Sequence, residues 1–378
     1  MRIPSFSFII CVLLMSCTSG KKAFDRGDYY NATIQAVNRL RSSPNSEKAI
    51  QAVKDSYPMS LTWFQGKIDY SMSSNAPFKY SEVVDYYEKM NRLSDEVSRC
   101  PAALKLFPKV NYFTTELAQV RKQAASEQYS AGLANEKINT RLSWKDAWFN
   151  YQQADRFAPG YQDVKRRMEI ARYNATLKVI VEQIQVPGKY QLTSDFFLNQ
   201  IIENLMRNRP NEFVAYYSPE SAGKEGLKNP DQLLKMTFDE FVIGQIYDKE
   251  SVREVKRDSV EVGTVTLNTG QKIKAYNTVK ARLTVKRREL ISNGVLDVTI
   301  VDLSLNSVVS QKKFPGQFVW FVEWGSFNGD ERALNDEQLA ICNRKPVPPP
   351  GSQDLFIEFT KPIFNQVTPF LKSFYKQY

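Results

Sequence analysis

The hydrophobic period of this chain changes at Thr176, and that change limits its fold more than any other feature. From Lys21 to about Asn174, apolar residues recur three and four positions apart, the spacing of one helix face. Beyond Thr176, short apolar runs and strict alternation take over. Val279, Ala281, Leu283 and Val285 interleave with Lys280, Arg282, Thr284 and Lys286, the pattern of a half-buried strand. A segment written in one period cannot bury its apolar side in the other. At 378 residues the chain is long enough for two cores. The expected fold class is α followed by α/β: a helical-repeat domain over 17–175 and a mixed-sheet α/β domain over 176–378, behind a leader at 1–16.

Small and aromatic residues at fixed offsets organise the helical half. Tyr129 and Gly132 precede Trp144, Ala147, Tyr151, Ala154 and Pro159; a weaker set comprises Gly27, Asp28, Tyr29, Ala32, Ala36 and Pro44. Residues 80–90 read as another helix of the same type. The pattern resembles the tetratricopeptide repeat, in which small residues let paired helices approach and an aromatic fills the gap. That resemblance implies a degenerate solenoid of about six to eight helices with a concave face for partner proteins. Pro58, Pro77, Pro101 and Pro108 are expected to punctuate it. Trp63, Phe64, Tyr70, Tyr86 and Tyr87 are candidates for that face, with core packing as the alternative.

The second half reads as a strand at 177–184, a helix at 192–207 and a strand at 213–217. Thr193, Ser194 and Asp195 are the candidate caps of that helix, and Phe196, Phe197, Ile201 and Leu205 its apolar face. A short helix at 230–236 and a strand at 241–247 follow. Antiparallel strands are expected at 259–267, 272–288, 294–303 and 307–323, then a closing helix at 353–376. The order, with Lys178–Val181, Phe197-Leu198, Phe213-Val214, Asp239–Gly244, Gly294–Asp302 and Val308–Ser310, resembles the periplasmic domain of the curli-export lipoprotein and the lipoprotein activators of penicillin-binding proteins. The hairpin turning at Asn268-Thr269-Gly270 carries Lys272, Lys274, Lys280, Arg282, Lys286 and Arg288, with Tyr276 as its one aromatic. Membrane barrels need an uncharged lipid face and aromatic girdles, so a soluble hairpin is expected rather than a pore.

The leader has Arg2, an apolar run from Phe6 to Met15 and then Ser16-Cys17. Ten apolar positions are too few for a spanning helix, which takes about 20 residues. The end, Leu14-Met15-Ser16-Cys17, resembles the bacterial lipobox, which implies cleavage before Cys17 and acylation of its thiol. Two or more acyl chains anchor a protein stably. Thr18, rather than Asp, after that cysteine implies the outer membrane, and the neutral-to-basic run through Lys22 implies its periplasmic face. Seven of the ten net positive charges fall between 18 and 175, where anionic headgroups or an acidic partner would meet them. An exported chain is not expected to bind nucleic acid.

The chain contains no histidine, which removes the commonest general base and metal ligand together with every Ser-His-Asp or Cys-His arrangement. Cys11, Cys17, Cys100 and Cys342 have no CxxC spacing, and no phosphate-loop or dinucleotide motif occurs. No catalytic, metal or cofactor residue is assigned. Cys100 and Cys342 are expected as free thiols. The strand at 277–288 places Lys280, Arg282, Lys286 and Arg288 on one face. That stripe would dock an acidic protein, an anionic glycan or lipid phosphates, unless carboxylates on neighbouring strands such as Asp297 neutralise it. The leading expectation is a non-catalytic accessory subunit of an envelope machine, for outer-membrane protein assembly or secretion. The alternatives are an activator of a peptidoglycan synthase, and a glycan hydrolase using carboxylates among Asp239, Glu240 and Asp330.

Overall fold

The computed structural model describes residues 20–207 and 211–378. The leader and Cys17 lie outside them. The chain divides at Ala175/Thr176 into two units.

The first unit is all-helical among its described residues, with helices α1 (Lys21–Phe24), α2 (Tyr29–Ser42), α3 (Glu47–Ser73), α4 (Lys79–Ser98), α5 (Pro101–Leu104), α6 (Thr114–Ile138), α7 (Arg141–Phe157) and α8 (Val164–Ala175). Asp28 caps α2 by accepting from the Asn31 N–H, and Thr140 and Ser143 form a reciprocal capping box on α7. Ala36, Val37 and Leu40 of α2 pack in one core with Ala49, Ala52, Val53 and Tyr57 of α3.

Pro58 does not end a helix, contrary to expectation: α3 runs through it. Pro58 sits on the exposed side of α3, so water can solvate the carbonyl its ring leaves unbonded. On the buried side, Thr33 donates to Ser56 at 2.9 Å and Ser60 donates to the Ser56 carbonyl at 2.7 Å. The Thr33 bond, with its 3.2 Å contact to the Ser60 hydroxyl, ties α3 to α2 across the proline turn, and the Ser60 bond braces that turn within α3.

The second unit runs β1 (Leu177–Val181), α9 (Gly188–Arg207), β2 (Val214–Tyr217), α10 (Pro219–Lys224), β3 (Gln232–Thr266), β4 (Lys272–Asp302) and β5 (Ser307–Gly329). A 3-10 turn (Glu331–Ala333), α11 (Asp336–Cys342) and α12 (Ser352–Tyr375) complete it. The sheet order is β2-β1-β3-β4-β5, with β1 parallel to β2 and β3, and the β3–β4–β5 portion antiparallel. The core joins Val179 and Val181 of β1, Leu296 and Val298 of β4 and Phe314 of β5 to Ile201 and Leu205 of α9 and Phe356, Phe359 and Ile363 of α12. The unit is thus a mixed sheet with helices on its apolar face.

Three expectations are corrected. Residues 232–236 begin β3 instead of forming a helix, because Gln232, Leu234 and Met236 are buried while Lys235 is exposed, a period of two. The helix of that crossover is α10, started by Pro219 in its first turn and capped by the Ser218 hydroxyl. Helix α9 begins at Gly188, so Thr193, Ser194 and Asp195 lie inside it and cap nothing.

The separate strands expected between 241 and 303 are two long ones. The ladder runs through 248–257 and 289–293, where strand ends were expected, and bulges at Phe238/Glu240, Val242/Gln245, Arg257/Val260 and Glu261/Gly263 bend β3 without ending it. Gly244 and Ser259 take positive φ there, 67° and 56°.

Candidate functional site

Strands β3 and β4 outrun β5. The β4–β5 ladder stops at Ala281/Gly329, whereas β3 and β4 remain paired out to Thr266/Lys272. The turn is the expected one: the Leu267 N–H donates to the Gln271 carbonyl at 2.9 Å, and Gly270 supplies the left-handed residue at φ 82°. Every residue from Glu261 to Lys274 is exposed. The result is a two-stranded arm. At its root, Val279, Ala281 and Leu283 pack against Ala333 and Leu334.

The four cations of the predicted stripe share one face of β4, and β3 brings its own carboxylates beside them. Arg288 donates Nε and an Nη to the two carboxylate oxygens of Asp248, both at 2.8 Å. Lys286 lies 3.7 Å from Glu250, and Lys280 3.1 Å from Glu254. Arg282 stands opposite Glu254 in the register. Three of the four cations are therefore paired. Asp297 is not among their partners: it is buried and accepts from Gln311 at 2.6 Å. Exposed pairs of this kind add little stability, so the ladder's main effect is to cancel the stripe's field.

Hydrogen bonds from Arg288 hold the Asp248 carboxyl below the usual carboxylate range. A depressed carboxyl contributes stability above its unfolded pKa and loses it as pH falls through the lowered value. Arg288→Ala is expected to bring the Asp248 titration midpoint up to the ordinary carboxylate range. A carbon-detected NMR titration reads that shift, and an unchanged midpoint would contradict it.

The carboxylates weighed for hydrolysis are not brought together. Asp239 pairs with Lys313 near the base of the sheet. Asp330, whose N–H donates to the Lys280 carbonyl, caps the 3-10 turn beyond the end of β5. Along β4 these places are roughly 15 residues apart, on the order of 50 Å. Hydrogen bonds from Arg332 lower the Asp330 carboxyl to about 2, the opposite of what a general acid needs. Among the described residues, no cluster of three metal-ligating side chains occurs. Cys100 and Cys342 are free.

In the helical unit, Trp63 is 43% exposed and Tyr70 74%, but Phe64 and Tyr87 are buried and belong to the core. Trp63 joins Tyr29, Tyr30, Asp28 and Asn31 around a cleft of about 380 Å³, with the Lys67 ammonium 5.3 Å from its ring. Sequence reasoning missed a second groove of about 310 Å³ between α9 and α12, lined by Phe196, Phe197, Ile357 and Phe364. Phe196 had been placed on the buried face but is 55% exposed. Phe197 and Leu198, with Ile201 and Leu205, fill the buried face of α9, and that leaves Phe196 at its exposed margin.

No family model and no curated protein matches the chain. Among solved structures, it is similar to a neuraminyllactose-binding hemagglutinin homologue from Helicobacter pylori at 9% identity. That match covers 53% of this chain and 91% of the other, with a TM-score of 0.22, too slight to carry an argument about fold or function.

Proposed function

We propose that this chain is a non-catalytic lipoprotein, anchored through Cys17 to the periplasmic face of the outer membrane, that acts as an accessory subunit of an envelope machine. One observation carries the binding role: the arm from Glu261 to Lys274 is exposed throughout. Ordering backbone costs about 1–2 kcal/mol per residue, and a lone two-stranded hairpin is marginal in water. An arm that buries nothing of its own is best explained by what it touches elsewhere. The helical unit supplies the second grip, as a degenerate tetratricopeptide-like solenoid whose cleft at Trp63 receives a partner segment. The membrane contact is the lipid on Cys17. Among the described residues, no helix is long and apolar enough to cross a membrane.

Affinity purification of the tagged full chain in mild detergent from its native envelope tests this reading. Recovery of barrel-assembly or secretion proteins is the expected result, and recovery of a cell-wall synthase would favour the activator role. Replacing Glu261–Lys274 by a two-residue Asn-Gly turn should remove the partner while leaving the circular dichroism spectrum close to the parent's. Cys17→Ala should abolish membrane retention. A chain that copurifies with nothing above the Cys17→Ala control would overturn the proposal.

A further inference from the structure

The two long edges of the β3–β4–β5 ribbon differ in how they are protected. Beyond Leu234, no strand pairs with the outer side of β3 among the described residues. That edge carries eleven charged residues between Asp239 and Glu261 and four bulges, the usual devices against unwanted pairing. The outer edge of β5 from Gly316 to Gly329 has no bulge, because its ladder with β4 is unshifted there, and Glu323 is its one charged residue. Its central run is Phe318-Val319-Trp320-Phe321-Val322, with Val319 and Phe321 exposed.

The direction of the backbone along this edge follows from Pro315. Pro315 stands in the ladder opposite Val295 without an N–H to give, and its carbonyl accepts from Gln366 Nε2 at 2.9 Å. Its backbone therefore faces away from β4. Successive residues alternate, so Gln317, Val319, Phe321 and Glu323 also turn their N–H and C=O outward. Gln366 satisfies the first of these carbonyls. Among the described residues, no backbone hydrogen bond outside the β4 ladder reaches the stretch from Gln317 to Trp324.

We infer that this edge pairs with the same edge of a second copy of the chain, antiparallel about a two-fold axis near Phe321 or Val322. Such a pairing joins the two three-stranded ribbons into one continuous sheet through an isologous contact. The charge pattern selects this occupant. Glu323 is already bonded by Arg287 at 2.8 Å, so the edge offers no field to an acidic or basic strand. In either register, Glu323 of one copy stands opposite Phe321 or Val319 of the other, never opposite its own mate. Centred on Val322, the pairing sets Trp320 against Trp324, a favourable aromatic cross-strand pair. The β3 edge is guarded by charge instead: its unshifted stretch from Gln245 to Arg257 carries seven charged residues.

Two differently tagged full-length copies expressed in one cell provide the test. Capture of one tag is expected to bring down the other. Phe321→Pro removes an outward N–H without touching the β4 ladder, and Val319→Lys places a charge on the edge with the backbone intact. Each, introduced into both copies, is expected to abolish recovery of the second tag while the circular dichroism spectrum stays at the parent's. Absence of the second tag with the parent protein, or its retention in a folded edge variant, would overturn the inference. The result does not depend on which envelope machine the chain serves.

Discussion

Phe359→Ala is expected to destabilise the α/β unit by about 3–5 kcal/mol, the usual range for deleting a fully buried aromatic ring. The Phe359 ring is completely buried, 5.1 Å from Phe356, 5.9 Å from Phe238 and 6.3 Å from Phe241, ring centre to ring centre. It lies over Gly294, where an added Cβ would stand 2.9 Å from its edge. A glycine floor has no side chain to fall into the vacated space, and Phe238 and Phe241 are fixed on β3 by the ladder. The cavity therefore stays open, which puts the cost toward the upper part of that range. Denaturant unfolding of the full chain should show the α/β transition moved to lower denaturant with the helical transition unmoved. Phe359→Leu should cost less. Equal costs for the two variants would show that the site collapses freely.

β1, α9, β2 and α12 were legible because their signals are local, whereas the start of β3, the third parallel strand, read as a helix. An apolar run broken only by Lys178 gives β1, the spacing of Phe197, Ile201 and Leu205 gives α9, and a strongly amphipathic end gives α12. The antiparallel part was legible in kind and misread in extent. Residues 248–258 and 289–293 read locally as breaks between strands, yet the β3–β4 ladder runs through both. What keeps the strands going is the pairing of β3 with β4, which no local window of sequence contains, and the cost of a bulge depends on that partner. Pro58 failed as a helix stop for a similar reason: packing against α2 outweighs one lost hydrogen bond.

The charged stripe on β4 shows where reading a site from one strand stops. Alternation places Lys280, Arg282, Lys286 and Arg288 on one face correctly. Whether that face is cationic depends on the register with β3, and the register sets Asp248, Glu250 and Glu254 opposite it. Asp297, the carboxylate nearest in sequence logic, faces Gln311 instead. The arm itself was half visible. Asn268-Thr269-Gly270 marks the turn, but only the end of the β5 ladder at Gly329 reveals that the arm stands free of a third strand.

In the helical unit, Tyr151→Ala is expected to cost about 3–5 kcal/mol, and Tyr151→Phe roughly 1.5–3 kcal/mol. The two values separate what the ring does from what the hydroxyl does. The ring is fully buried against Gly132, and the hydroxyl donates to Glu136 at 2.6 Å. Burial, and after it the Glu136 carboxylate, push that hydroxyl well above the usual phenol range, so it remains a donor at any pH the fold survives. Arg167 donates to the other Glu136 oxygen at 2.9 Å and also to Asp163, at 3.0 Å, so removing the hydroxyl leaves a partly compensated carboxylate. Gly132→Ala tests the same contact from the other side. Its Cβ would come within 2.5 Å of the Tyr151 ring, an overpacking expected to cost about 1–3 kcal/mol. Combining Gly132→Ala with Tyr151→Ala places the new methyl in the space the ring has left. The double variant should then be more stable than the sum of the single costs predicts, by a coupling of about 0.5–3 kcal/mol in a double-mutant cycle. Strict additivity would mean that glycine and ring do not share the space between α6 and α7, and the small-residue rule read from the sequence would lose its physical basis at this pair.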